Sequence, residues 1–285
     1  MRHTIFSAAL LGGALALAGC MGSDKAEVNA ALDSVNAVDA TNLSDIMLTV
    51  GDPREAVSYF TRSTNENPDR IDLQRGLAKS LVRAGDPTKA VAVWTKVVGM
   101  PGATADDKVA LAETQVRAND WDGAKATLNT IPPTHESFER YKLEAMVADS
   151  EQNWKKADSF YETAVGLTTQ PAGVLNNWGF SKLSRGDAAG AEKLFAEALT
   201  YDASNFTTKN NLVMARAAQH KYDLPVVEMT QTERAKLLYT AGLSAIKKGD
   251  VSIGKGLLQD AVDTSPVYFE EAARALEALD AGKQG

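Results

Sequence analysis

Gly85-Asp86-Pro87-Thr88-Lys89-Ala90-Val91-Ala92-Val93-Trp94 restates, 34 residues on, the stretch Gly51-Asp52-Pro53-Arg54-Glu55-Ala56-Val57-Ser58-Tyr59-Phe60. The shared Gly-Asp-Pro is a stop-and-restart signal. Glycine can take the left-handed conformation that ends a helix. Aspartate can then cap the next helix by accepting from its free amides, and proline suits the first helical position, where a missing N–H is harmless. Glu55, three residues after Asp52, predicts a capping box. Working outward, alanines recur at Ala56, Ala90, Ala124, Ala157 and Ala191, at spacings of 34, 34, 33 and 34. A large apolar residue follows four positions later: Phe60, Trp94, Leu128, Tyr161 and Phe195. Seven positions after the alanines come Ser63, Val97, Ile131, Ala164 and Ala198. Five positions before each alanine sits a turn pair: Gly51-Asp52, Gly85-Asp86, Asn119-Asp120, Gln152-Asn153 and Gly186-Asp187. A late copy has Gly249-Asp250, Leu258, Ala261 and Pro266, with Gly254 in the alanine slot.

This pattern resembles the tetratricopeptide repeat (TPR), a 34-residue helix-turn-helix with small residues where helices cross closely. Leu77-Ala78, Leu111-Ala112, Trp178-Gly179 and Ala241-Gly242 fill its large-then-small slots in the first helix. The resemblance covers residues 37 to 281. It implies an all-α fold, a TPR helix-turn-helix solenoid of about six or seven repeats, one of them degenerate. The repeats start near 37, 71, 105, 138, 172, 206 and 235. A closing helix is expected over 267–281, because a solenoid needs a solvated cap. Residues 282–285 read as a disordered tail.

The degenerate copy begins near Phe206. Its turn reads His220-Lys221-Tyr222, Pro225 occupies the alanine slot, and the next copy arrives 29 residues on. Proline breaks a helix interior, so an extended or irregular segment is predicted from Leu224 to Met229. Thr230-Gln231-Thr232-Glu233 reads as a capping box opening a new helix. The break is either repeat decay or, between the first five repeats and the last, a joint or a docking strip.

The chain has 285 residues, 44% hydrophobic and 24% charged, with a formal net charge of −7. These are globular values. The acidic balance lacks the basic stripe that displaces counterions from phosphates, which argues against a nucleic-acid partner. Cys20 is the one cysteine, so no disulfide can form within the chain. Arg2, the apolar run Ile5 to Leu17 and then Leu17-Ala18-Gly19-Cys20 resemble the signal peptide and lipobox of bacterial lipoproteins. The resemblance implies removal of residues 1–19, lipid on Cys20 and a tether over 20–36. Met21 stands where an aspartate would signal inner-membrane retention, which implies the outer membrane, periplasmic face. The apolar run, 13 residues long, is too short to span a bilayer.

Catalytic chemistry has little to work with. His3, His135 and His220 lack a sequence partner at metal or triad spacing. Asp106-Asp107 follows Thr104 at a helix start, where acids favour the dipole. Gly249 to Gly256 reads GDVSIGKG, close to a phosphate loop, with Lys255 in the lysine slot. It lacks the final Ser or Thr, follows no strand and is in phase with the repeat turns, so it reads as a repeat turn and not a nucleotide site. Trp121 and Trp154 follow turn pairs, while Trp94 and Trp178 fill core slots. No catalytic residue, metal or cofactor is expected apart from the lipid on Cys20.

In TPR proteins the concave face is lined by first-helix positions 2, 5, 9, 12 and 13. Arg75, Lys79 and Arg83 lie on one side of one such helix, a basic ridge able to grip an acidic segment or to form an ordinary solvated face. Asn176 and Asn210 occupy position 5 of neighbouring repeats and can hold a peptide backbone through donor and acceptor together. Phe180 and Met214 at position 9 would add an apolar floor. The stretch Val174 to Asp187, with Lys209-Asn210-Asn211-Leu212 and Leu224 to Glu233, is similar to the TadD-type TPR lipoproteins of tight adherence (Tad, Flp pilus) assembly systems. That resemblance is most specific over 172–270. It implies a pilotin-like scaffold that binds the outer-membrane secretin or a neighbouring pilus component. An adaptor recruiting peptidoglycan enzymes or outer-membrane assembly factors is the second reading.

Overall fold

The computed structural model describes residues 42–281, and every regular element among them is helical. The signal peptide, Cys20, the tether and the tail at 282–285 lie outside the described residues. The chain divides into two compact units, one up to Gly85 and one from Asp86 onward. In the first, α1 (42–49) is followed by the hairpin α2 (Pro53–Glu66) and α3 (Ile71–Arg83).

The second unit is a run of hairpins. It comprises α4 (Pro87–Val98), α5 (Ala105–Arg117), α6 (Trp121–Leu128), α7 (Phe138–Ser150), α8 (Trp154–Gly166), α9 (Ala172–Ser184) and α10 (Ala188–Tyr201). It continues with α11 (Phe206–Ala217), α12 (Gln231–Lys247), α13 (Val251–Thr264) and α14 (Glu270–Ala281). Within this unit each helix packs on the next, and first helices of successive repeats touch: α5 on α7, α7 on α9, α9 on α11.

The repeat register is the packing register. Ala56, Ala90, Ala124, Ala157 and Ala191 are all fully buried. The large residues four positions later are buried with them. Small residues are needed because the paired helices leave little room. A methyl group on Gly179 would stand 2.7 Å from the Phe195 ring, and one on Gly254 would stand 2.7 Å from the Gly242 carbonyl oxygen. Gly254 therefore replaces alanine where α12 and α13 approach backbone to backbone.

The turn pairs work as read except at Gly51 and at Asp250, which gives its helix no side-chain cap. Gly85, Asn119, Gln152, Gly186 and Gly249 are left-handed, with φ between 56° and 93°. His220 of the degenerate copy joins them at 58°. Asp86, Asp120, Asn153 and Asp187 then cap the following helices through their side chains. Gly51 is not left-handed. Its amide instead reaches the Ile46 carbonyl, closing α1 one residue earlier. Asp52 accepts from the amides of Arg54 and Glu55, but the reciprocal box expected from Glu55 forms instead at Thr104 with Asp107 and at Thr230 with Glu233.

The degenerate copy has no second helix: residues 221–230 are irregular between α11 and α12. Leu224, Val227 and Met229 pack inward against the neighbouring cores in place of helix side chains. Val226 points fully into solvent. The almost completely buried Lys209 holds the segment, donating to the Glu228 carbonyl at 2.8 Å and lying 3.5 Å from the Glu233 carboxylate. The closing helix begins at Glu270, and Ala272 seats it on Leu238 and Ala261.

Candidate functional site

The first helices α7, α9 and α11 present residues spaced by three and four on a common side. Across this side runs a groove of about 510 Å³. Its apolar walls are Trp121, Met146, Trp154 and Phe180, and its polar lining includes Asp149, Ser150, Asn176, Asn177, Ser181 and Asn211. Phe180 is 57% exposed, and Met214 on the neighbouring helix is 40% exposed. Beyond Asn176 and Asn177 a second hollow opens, with Phe138 and Lys142 on its rim.

Hydrogen bonds between helices build the floor. Asp149 on α7 accepts from Tyr161 Oη at 2.8 Å and from Ser181 Oγ at 2.7 Å. Burial pushes the Asp149 carboxyl up from its ordinary range, against the pull of those two hydroxyls and of Arg185. Burial, with Asp149 beside it, also drives the Tyr161 hydroxyl far up, so it stays a donor. Tyr161 stacks on Trp178 with ring centroids 6.1 Å apart.

Beside this floor lies a charged knot centred on Asp158. It accepts from Trp178 Nε1 at 2.6 Å, from Arg185 at 2.5 Å and from Lys182 at 3.3 Å. Burial raises the Asp158 carboxyl, but Arg185, Trp178 and Lys182 together outweigh it and leave the group below its ordinary value. The Arg185 guanidinium also sits 5.6 Å from the Trp154 ring centroid.

Asn176 and Asn210 stand on this face, and each ties two first helices together. Asn176 Oδ1 accepts from Thr208 Oγ1 and Asn211 Nδ2, both at 3.1 Å. Asn210 Oδ1 accepts from Thr240 Oγ1 at 2.8 Å, and its Nδ2 lies 3.7 Å from the Met214 sulfur. The two asparagines are thus a ladder within the fold, with Asn176 also lining the groove.

Arg75, Lys79 and Arg83 belong to the first unit. Lys79 is exposed and Arg75 half-buried. Arg83 donates to the carbonyls of Met47, Leu48 and Gly51, each at 2.8 Å. It therefore caps the end of α1 at Met47 and Leu48 and ties down the turn at Gly51.

Sequence reasoning missed the groove-facing role of Trp121 and Trp154 and the part played by Asp149. The signal for Asp149 was present: it stands at position 12 of the repeat starting near 138, one of the concave-lining positions. The histidines also find carboxylates the sequence did not pair with them. His135 Nε2 lies 3.1 Å from Asp106 in a geometry that makes no hydrogen bond. His220 Nδ1 lies 2.7 Å from Asp250 Oδ2, which also accepts from Tyr222. Asp250 consequently leaves α13 without a side-chain cap. Among the described residues, no group of three or more His, Cys, Asp or Glu is placed to hold a metal ion. No described helix is long and apolar enough to cross a membrane.

No protein-family model matches the chain, and no curated protein sequence matches it. Solved structures do. PilW, described as a widely conserved type IV pilus biogenesis factor, matches with a TM-score of 0.58 at 13% identity, over 83% of this chain and 96% of that one. A tetratricopeptide repeat protein from Parabacteroides merdae matches with a TM-score of 0.55 at 12% identity, over 84% and 96%. The Cut9–Hcn1 hetero-tetramer of the APC/C matches with a TM-score of 0.58 at 13% identity, over 83% of this chain. The present chain spans 48% of the matched chain in that complex. At these identities the likeness establishes the fold: all-α, of the TPR solenoid class.

Proposed function

We propose that this chain is a protein-binding scaffold, not a catalyst, held on the periplasmic face of the outer membrane by lipid on Cys20 and serving Tad/Flp pilus assembly. In this reading the groove of α7, α9 and α11 holds a segment of the secretin or of a neighbouring pilus component, in a pilotin-like way. The observation that carries the reading is the groove itself. Phe180 is large, apolar and open to solvent, with Trp121 and Trp154 in the same groove. A concave, mostly apolar groove with a few convergent polar groups is the usual form of a binding site. The pilus part rests on the resemblance over 172–270. It is in keeping with the fold shared with PilW, a type IV pilus biogenesis factor.

The test is a photo-crosslinking residue placed at Phe180 in living cells, with exposed Lys193 on α10 as control. We expect Phe180 to yield an adduct with the secretin or a neighbouring pilus component, and Lys193 none. Adducts from Phe180 with peptidoglycan enzymes or outer-membrane assembly factors would move the scaffold to another machine. No adduct, or equal adducts from both positions, would remove the groove from partner binding.

A further inference from the structure

The groove is apolar on its walls and singly charged at its floor. Asp149 is the one carboxylate among the lining residues, and no Lys, Arg or His lines the groove with it. The nearby cations are committed elsewhere: Arg185 and Lys182 both turn to Asp158. Asp149 receives two hydroxyl hydrogen bonds and no direct cation. A carboxylate accepts at about four sites, so room remains on its oxygens. A partly desolvated charge that feels Arg185 only at a distance, with no cation bonded to it, is a cost that a ligand can relieve.

Three ligand chemistries can be compared on these facts. An acidic side chain would meet Asp149 in a low-dielectric groove and be repelled. A purely apolar side chain would suit the tryptophans but finish the desolvation of Asp149 without compensating it. A lysine or arginine meets both demands. Its aliphatic stem can lie along Met146 and the aromatic walls while its charged head reaches the floor. A cation over the faces of Trp or Phe gains further attraction from the ring quadrupole. Arg185 over Trp154 already shows that pairing inside this protein.

The geometry points to the groove as a receptor for a basic side chain, a lysine or arginine of the bound polypeptide, with Asp149 as counter-charge and Trp121, Trp154 and Phe180 as walls. This rests on the protein-binding reading above and names the chemistry of its partner. Ser150 and Ser181 flank the charge, and Asn176 and Asn177 line the same groove. The net charge of −7 steers a basic segment toward the protein at low salt.

The experiment uses the full-length chain in detergent, with its tryptophan indole N–H signals followed by NMR. The probes are three blocked pentapeptides, Ala-Leu-X-Leu-Ala, with lysine, norleucine or glutamate at X. We expect the lysine peptide to shift Trp121 and Trp154 and to bind about tenfold tighter than norleucine, with glutamate weakest. That preference should shrink as salt rises. Asp149→Asn should erase it. Phe180→Ala, at an exposed position that leaves packing intact, should weaken the lysine peptide several-fold and keeps the test open if Asp149→Asn fails to fold. Norleucine binding as tightly as lysine, or a lysine preference insensitive to salt and to Phe180→Ala, would overturn the basic-residue assignment and leave the groove a protein-binding site. If no peptide moves Trp121 or Trp154 up to millimolar concentration, the groove itself fails as a receptor.

Discussion

Ser181 Oγ on α9 donates to Asp149 Oδ1 on α7 across 2.7 Å, so two successive first helices are bridged through a carboxylate that faces the groove. The bridge sits where a hydrophobic pair would pack at less electrostatic cost. It also satisfies the hydroxyls of Tyr161 and Ser181, which are both buried and need an acceptor.

Asp149 should make the fold pH-sensitive. Burial raises its folded carboxyl above the ordinary value near 3.8, the hydroxyls notwithstanding. The native state then holds its proton longer than the unfolded chain. The stabilisation this gives is complete below the ordinary value and is lost as pH rises through the raised one. Urea unfolding of wild type and Asp149→Asn across that range should show the wild type losing stability relative to the variant as the carboxyl ionises. Parallel curves at all pH values would contradict this.

Gly254→Ala should destabilise by about 1–3 kcal/mol, because the added methyl meets the Gly242 carbonyl and α12 and α13 must part. Gly256→Ala serves as the control, since a methyl there meets nothing within 4 Å. Thermal unfolding should lower the midpoint for the first and leave or raise it for the second.

Lys209→Met keeps most of the side chain's length and its unbranched shape and removes its charge. The Glu228 carbonyl loses its 2.8 Å donor and Glu233 loses its cation. A loss of about 1–3 kcal/mol is expected for the buried polar groups left behind. Limited proteolysis should then cut within 221–230 faster than in wild type. An unchanged cleavage rate would show that Leu224, Val227 and Met229 alone hold the segment.

Arg83→Ala should fray α1, since three carbonyls lose their donors together. Hydrogen exchange of amides over 46–51 should speed up while α4 to α14 keep their protection. If partner binding also falls while Lys79→Ala leaves it unchanged, Arg83 acts through the end of α1 and not as part of a basic ridge.

The repeat register was legible because it is local chemistry. Left-handed turn residues, capping acids and small residues at helix crossings each recur at a fixed offset, so Ala56 to Ala191 could be placed in the core from spacing alone. Pro225 likewise announced the missing helix, and Thr230 with Glu233 its successor. The site was legible in part. Phe180 and Met214 were read from position 9; both are exposed, and of the two Phe180 lines the groove. The asparagines were read from position 5, but Asn176 alone of the two lines the groove, and their Oδ1 atoms bind Thr208, Asn211 and Thr240, partners about 30 residues away that no local rule supplies. Trp121 and Trp154 were read from their place after the turn, and only the packing of α6 and α8 shows them lining the groove. Arg83 was read by helix spacing, which does not reveal that the end of α1 lies within its reach.

The most direct measurement is the level and membrane location of secretin multimers in cells with this gene, without it, and with Cys20→Ser. We expect multimers to vanish or move to the inner membrane without the protein, and to be misplaced when Cys20→Ser releases it from the outer membrane. Secretin multimers unchanged in amount and place in all three strains would contradict the pilus-assembly role.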